Sequence, residues 1–392
     1  MPKVFNVNGA CKSSKHYMVN LKSRLQEIKM MIDDGEYFTI HKARQYGKTT
    51  ILHALADFLK ENYVVISLDF QKMSSSDFSD ESAFVNGLAR EISKVIRRME
   101  QVIPHEVKIQ LNNLADKQDG CSKLAEIFDY FSIWCEESYK PIVLMIDEVD
   151  TAANNQVFLD FLAQLRAYYL ERDIIPTFQS VILAGVYDIR NVRRKLRTEK
   201  DHKTNSPWNI AADFLVDMNF SARDIAGMLQ LYEDDYQTGM DVHKMAELLY
   251  DYTSGYPYLV SRLCKFMDER ITGKKGFSDR SSAWTKEGFL DALKLLLDET
   301  NPLYQSLKGK LEDYPELKRV LYDLLFTGKP VPYTAMNDAI EVASMFGFIK
   351  NVDGTALISN RIFETVLYNW FMSEEYGNSK IYNKGLQDKN QF

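Results

Sequence analysis

The stretch His41-Lys-Ala-Arg-Gln-Tyr-Gly-Lys-Thr-Thr50, HKARQYGKTT over residues 41–50, ends in a Gly-Lys-Thr that resembles the end of a phosphate-binding loop. The full pattern is G-x-x-x-x-G-K-[ST], and its first glycine position holds Lys42 here. A Gly-Lys-Thr tripeptide is weak evidence by itself, so its flanks decide. Residues 37–41 are a short β-rich run, and from Thr49 the apolar residues Ile51, Leu52, Leu55, Ala56 and Leu59 fall on one helical face. Strand, loop and helix in that order are what anion binding requires, because the turn and the helix N-terminus aim backbone N–H groups at the ligand. On this reading the loop residues Arg44, Gln45, Tyr46 and Gly47 approach the phosphates, and Lys48 reaches the β and γ phosphates of ATP. The Thr49 hydroxyl sits on Mg²⁺, and Thr50 follows in the first helical turn. Lys42 either ends the strand and points to solvent or brings its own charge near the phosphates.

A second half-motif lies a hundred residues on. PIVLMIDE, residues 141–148, is a buried-strand pattern ending in Asp147 and Glu148. In an open parallel sheet the carboxyl end of a strand faces the ligand crevice. Asp147 there can hold Mg²⁺ through water, and Glu148 can act as the base that polarises an attacking water.

The surroundings fit a parallel α/β sheet. Apolar residues at 21, 25, 28, 31 and 32 predict a helix over 19–32. Strands are expected at 63–70, 141–148, 180–186 and 214–220, with helices near 82–99, 122–137 and 155–171. After Ser221 the strands cease. Ser221-x-x-Asp224 reads as a helix cap, residues 221–298 read as helices, and Asn301-Pro302 marks a break. Residues 303–372 are helical with β-like pieces at FGFIKN and TALISN around Asp353-Gly354, which suggests a winged-helix unit. The expected domains are therefore an ATPase core over 1–220, a helical lid over 221–298, a winged helix over 299–372 and a polar tail over 373–392.

Composition narrows the function classes. With 392 residues, 45% of them hydrophobic, the chain can build several cores. A net charge of -7 gives no global attraction to nucleic acid, so DNA contact would need a local patch. Four cysteines and six histidines are scattered without zinc spacing. The longest apolar run is the strand-sized IVLMI, and the first residues lack an apolar signal region, so a cytoplasmic protein with no membrane partner is expected.

ARQYGKTT, IDEVD, ILAG, SPWNIA and SGYPYLV together resemble the AAA-like P-loop ATPases of bacteria, relatives of archaeal-type ATPases and, more distantly, of origin-recognition and STAND proteins. The resemblance runs from HYMVNLKSRL at 16–25 to RIFETVLYNWF at 361–371, and many members tolerate a charged or apolar residue where Lys42 stands. It implies Walker A and Walker B motifs, ATP and Mg²⁺ as ligands, and an AAA-like sheet with a lid and a winged helix. It also implies that the segment around Tyr17, Met18 and Arg24 packs on adenine, unless that segment is an ordinary capping helix. Gly255-Tyr256-Pro257 resembles a lid element whose proline, Pro257, touches the base, although Gly-x-Pro is also a common loop. Arg262 is either a γ-phosphate sensor or an exposed lid arginine. The sensor after ILAGV is Tyr187 or Asp188.

The run Arg190, Arg193, Arg194, Lys195, Arg197 would make one helical face basic. That face suits solvent, a neighbouring subunit in a homo-oligomer, or DNA. Longer relatives continue into a PD-(D/E)xK nuclease-like domain; no such constellation occurs before Phe392, and no nuclease activity is expected of these residues. Three functions follow: an ATPase driving lid and winged-helix movement, a nucleotide-gated switch acting on a client protein, or a DNA-associated protein. The 331–345 segment, with Asp338 and Glu341 and no arginine or lysine, speaks against the last. A small-molecule kinase is a minor fourth reading, disfavoured by the lid and winged-helix tail.

Overall fold

The structure is a computed structural model that describes residues 2–99, 103–117, 120–186, 208–334 and 336–378. Two compact units account for the chain: one of Leu21–Ala43 and Gly47–Asp217, the other of Met1–Asn20, Arg44–Tyr46 and Met218–Phe392.

The first unit is α/β. Strands β1 (Phe38–His41), β2 (Val64–Asp69), β3 (Ile142–Asp147) and β4 (Ser180–Gly185) form a parallel sheet in the order β1-β4-β3-β2. Parallel neighbours need long crossovers. These are supplied by helix α2 (Lys48–Leu59) after β1, by α3 (Glu81–Ile96), α4 (His105–Asp116) and α5 (Leu124–Glu137) after β2, and by α6 (Gln156–Leu170) after β3. Helix α1 (Lys22–Asp33) precedes the sheet. The two inner strands, IVLMID and SVILAG, are buried at every residue, which explains their unbroken apolar runs. Edge strand β2 alternates buried and half-buried residues instead. The core is aromatic: Phe70, Phe84, Phe128, Phe158 and Phe161 pack as a connected set of rings. Trp208 is buried too, and its indole N–H donates to Thr39 Oγ1 at 2.9 Å.

Two expectations for this unit change. The strand expected over 214–220 does not form; only an isolated bridge, Ala212 to Phe38, joins this region to the sheet among the described residues. Phe214 and Val216 are buried while Leu215 is 88% exposed, so the alternation read from the sequence is real. It reports which side faces the core, whereas a strand also needs a backbone ladder. Helix α4 lies outside the expected elements, although Val107, Leu111 and Leu114 are spaced i, i+4, i+7 and are all buried.

The second unit is mainly helical. It holds α7 (Ala222–Tyr236), α8 (Val242–Thr253), α9 (Pro257–Phe266), the short α10 (Arg280–Ala283) and α11 (Lys286–Asp298). Ser221 and Asp224 close a reciprocal capping box at the start of α7. Beyond Asn301, whose side chain accepts from Tyr304 N at 2.9 Å, come α12 (Pro302–Asp313) and α13 (Pro315–Phe326). Strand β5 (Val331–Pro332), helix α14 (Asp338–Met345), strands β6 (Ile349–Val352) and β7 (Thr355–Ile358), and helix α15 (Arg361–Asn378) complete it. The strands make an antiparallel sheet in the order β5-β7-β6. Asp353 and Gly354, at φ 50° and 79°, turn β6 into β7 as an Asp-Gly pair commonly does.

Candidate phosphate and metal site

The loop begins where β1 leaves the sheet. Lys42 N donates to Gly185 O at 3.2 Å, which ties the loop entry to the end of β4. Lys42 itself is half-buried and not a solvent-pointing strand end. Burial pushes its ammonium pKa below the ordinary lysine value, partly offset by Asp217. Gln45 and Gly47 both take left-handed conformations, at φ 62° and 80°. A Cβ on Gly47 would meet nothing, so backbone conformation and not space calls for glycine there. No side chain caps α2, which leaves its N-terminus to receive an anion, and Thr50 lies half-buried in its first turn. Lys48 is buried, and its ammonium donates to the carbonyls of Lys42 (2.8 Å) and Ala43 (3.1 Å), so it folds back along the loop. Arg44 is exposed, and the Gln45 Oε1 atom is buried with no hydrogen-bond partner among the described residues.

The acidic strand end lies against the start of α2. Thr49 Oγ1 donates to Asp147 Oδ2 at 2.7 Å, and Glu148 N donates to Asp147 Oδ1 at 2.9 Å. Asp147 is 6% exposed, yet the Thr49 hydroxyl and the Glu148 amide that donate to it are neutral, and no ion pair reaches it among the described residues. A buried carboxylate without a cation is costly. Glu148 adopts φ 54°, a left-handed conformation costing about 1–3 kcal/mol for a residue with a side chain, and so turns the chain sharply at the strand end. Asp150, one of the IDEVD acids not singled out from the sequence, accepts from Val186 N at 2.6 Å. Its approach leaves no room at Gly185, where a Cβ would lie 2.8 Å from Asp150 Oδ1. Through these contacts the ends of β1, β3 and β4 are fixed to one another.

These residues fit a magnesium ion. Thr49 Oγ1 and Asp147 Oδ2 are 2.7 Å apart, near the roughly 3.0 Å between adjacent oxygen ligands of an octahedral Mg²⁺ at ~2.1 Å. No group of three or more His, Cys, Asp or Glu able to hold a metal occurs among the described residues. An ion here would thus take one or two protein oxygens and complete its shell with phosphate and water, the usual habit of Mg²⁺.

A family model described as an AAA-like domain matches residues 7–367. The chain belongs to the AAA-like domain family. A Walker-type ATPase of Pyrococcus abyssi superposes with a TM-score of 0.61 at 14% identity, covering 93% of this chain and 99% of that one. The ORC2 protein of Aeropyrum pernix, solved as ADPNP–ADP complexes, gives 0.46 at 10% identity, covering 94% and 97%. At these identities the likeness concerns the fold. No curated protein matches the chain.

The other residues expected to serve this AAA-like site have varied surroundings. Tyr17 is 3% exposed, packed between Phe5 and Tyr232, with its hydroxyl donating to Asp235 at 2.7 Å, so it belongs to the interior of the helical unit. Met18 is half-buried, and buried Arg24 donates through Nε to Asp217 O at 2.7 Å. Pro257 is buried as the first residue of α9. Gly255 before it has φ 74°, and a Cβ would lie 2.0 Å from Phe220 O, so the glycine is demanded by a backbone crossing. Arg262, expected as a γ-phosphate sensor or an exposed lid arginine, is committed to Glu299. Its Nε donates to Oε1 at 2.9 Å, a second nitrogen holds Oε2, and the guanidinium lies 4.4 Å from the Phe266 ring centre. The hydrogen bonds to Glu299 push its pKa further up. Tyr187, Asp188 and the basic run Arg190, Arg193, Arg194, Lys195, Arg197 lie outside the described residues.

Among the described residues no helix is long and apolar enough to cross a membrane.

Proposed function

We propose that this AAA-like protein binds Mg²⁺·ATP at the Lys42–Thr50 loop and hydrolyses it. Lys48 and the α2 N-terminus take the phosphates, Thr49 and Asp147 hold the ion, and Glu148 is the base for the attacking water. The ion supplies charge neutralisation to the phosphates; the chain's own part is to position the nucleotide and to accept the water's proton at the Glu148 carboxylate. The observation that carries this reading is the buried Asp147 carboxylate, held by the Thr49 hydroxyl and, among the described residues, by no cation. The helices of 221–298 would act as the lid, and residues 299–372, with their Asp-Gly hairpin, as a winged helix that moves with the nucleotide state. ATP titration with and without Mg²⁺, repeated on Thr49→Val, tests the binding half. Affinity that ignores both the metal and the hydroxyl would refute it.

A specific observation favours a second reading, a nucleotide-gated switch with slow turnover. The lid arginine best placed in the sequence to sense a γ-phosphate is already bound bidentately to Glu299. Slow hydrolysis awaiting a partner's arginine, from a client protein or another copy, accords with that pairing. Support for DNA binding is weak, since helix α14 opens with Asp338 and carries Glu341 in its first turn.

A further inference from the structure

The helical unit includes the loop residues Arg44–Tyr46, and one tyrosine of that unit holds them. Tyr256 is 1% exposed, and its hydroxyl donates to the backbone carbonyl of Arg44 at 2.7 Å. Its ring lies 4.3 Å, centre to centre, from that of Tyr46. The residue between these two loop positions, Gln45, is the one held left-handed at φ 62°. A strained conformation of that kind persists only where its neighbours over-determine it, and Tyr256 grips the neighbour on each side.

Tyr256 is itself rigidly placed. Its amide donates to Thr253 O at 3.0 Å, and Gly255 before it is pinned by the Phe220 crossing, where Phe220 N donates to Gly255 O at 2.8 Å. Burial raises its hydroxyl pKa well above the ordinary tyrosine value, so it stays a proton donor throughout the working pH range. On its far side the ring meets Phe363 of α15 edge-on at 5.6 Å, Phe363 meets Phe348 at 6.0 Å, and Phe348 meets Phe346 at 5.9 Å. Rings in these geometries attract one another beyond simple burial. A continuous file of side chains therefore runs from the loop tip to the C-terminal elements.

We infer that Tyr256 is a positioning residue for the phosphate loop, and that the ring file behind it makes nucleotide affinity depend on the packing of the Phe363 ring against Tyr256. The inference rests on the nucleotide reading above. The physical reason is a population argument: a loop that samples its binding shape only part of the time binds more weakly by that fraction. Removing the Tyr256 hydroxyl frees the Arg44 carbonyl and lets Gln45 relax. Removing the Phe363 ring lets Tyr256 itself shift.

The test is the dissociation constant of a fluorescent ATP analogue with Mg²⁺, measured on the full chain well below its melting temperature. Tyr256→Phe keeps every ring and loses one hydrogen bond, and should weaken binding about fivefold, the worth of one neutral hydrogen bond. Phe363→Leu should weaken binding less, and the double variant should fall short of the product of the two, because both act through one residue. Trp370→Leu is the control: it removes a ring of the same helix that meets Phe371 and Lys318 and none of the file's rings, and should leave affinity unchanged. Unchanged affinity in Tyr256→Phe, or equal weakening in Trp370→Leu, would overturn the positioning role while leaving nucleotide binding intact. A wild-type chain that binds no nucleotide would remove the underlying reading, and this inference with it.

Discussion

Two carboxylates of this molecule are held in opposite ways. Asp147, at the end of β3, meets the neutral Thr49 hydroxyl and the Glu148 amide; Glu299, after α11, meets both arms of the Arg262 guanidinium. The first is a buried charge that its surroundings orient without neutralising. The second is neutralised within the fold. A buried acid with no cation among its described neighbours invites one, and an arginine already spent on a carboxylate has little to offer a phosphate. On the proposed reading this difference separates machinery from scaffold more sharply than motif position does, since Asp147 and Arg262 both stand in motifs.

Substitutions can sharpen this contrast or break it. The largest effect is expected at Asp147. Asp147→Asn should lower Mg²⁺-dependent turnover by about 100-fold or more, because the ion contributes several kcal/mol to charge stabilisation. Its melting temperature should not fall, since an uncompensated buried charge is removed. A variant that keeps turnover in a kinetic assay would end the assignment of this acid to the metal.

Next comes the backbone crossing. Gly255→Ala places a Cβ against Phe220 O in a left-handed conformation, and should cost about 2–4 kcal/mol in a denaturant titration. A loss below 1 kcal/mol would mean the crossing relaxes easily.

Arg262→Ala should show the reverse of Asp147→Asn. A partly exposed pair is worth about 1–2 kcal/mol of stability, between the surface and buried limits. Turnover at saturating ATP should stay within about twofold, against the tenfold or more expected of a residue contacting the γ-phosphate. A tenfold loss of turnover with unchanged stability would reverse the assignment and make Arg262 a sensor.

The smallest effect belongs to Lys42. Its folded-state pKa lies below the unfolded value, so the unfolded chain holds more protons between the two, and stability gains as pH rises through that window. At neutral pH the burial penalty is present in full. Lys42→Met should therefore stabilise slightly at neutral pH and flatten the alkaline rise, as thermal melts at several pH values would show. A destabilised variant would mean that the lysine charge is used in the fold.

Local chemistry made much of this readable in advance. Gly47-Lys48-Thr49 and Asp147-Glu148 are short segments whose conformations follow from glycine freedom and strand burial, and the structure brings Thr49 and Asp147 within a hydrogen bond. Ser221–Asp224 and Asp353-Gly354 were legible for the same reason, each being a few residues with one favoured geometry. Partnerships made by folding were not. Arg262 and Glu299 are 37 residues apart, and nothing in either segment announces the other. The tie from Asp150 to Val186 spans 36 residues, although the third acid of IDEVD is a visible signal. Tyr256 was read only as the middle of Gly-x-Pro, while its hydroxyl acts at Arg44, 212 positions away. The missing strand at 214–220 teaches the same lesson, since side-chain alternation is written in the segment and backbone pairing is not.

The most direct test of the central claim is steady-state ATP turnover with Mg²⁺ for the wild type and for Glu148→Gln, at equal nucleotide occupancy. The substitution keeps size and removes the base. A general base contributes about 10²–10⁴-fold, so turnover should fall at least a hundredfold while affinity stays constant. Equal turnover in the two proteins, or none in either, would contradict hydrolysis by Glu148 at this strand end.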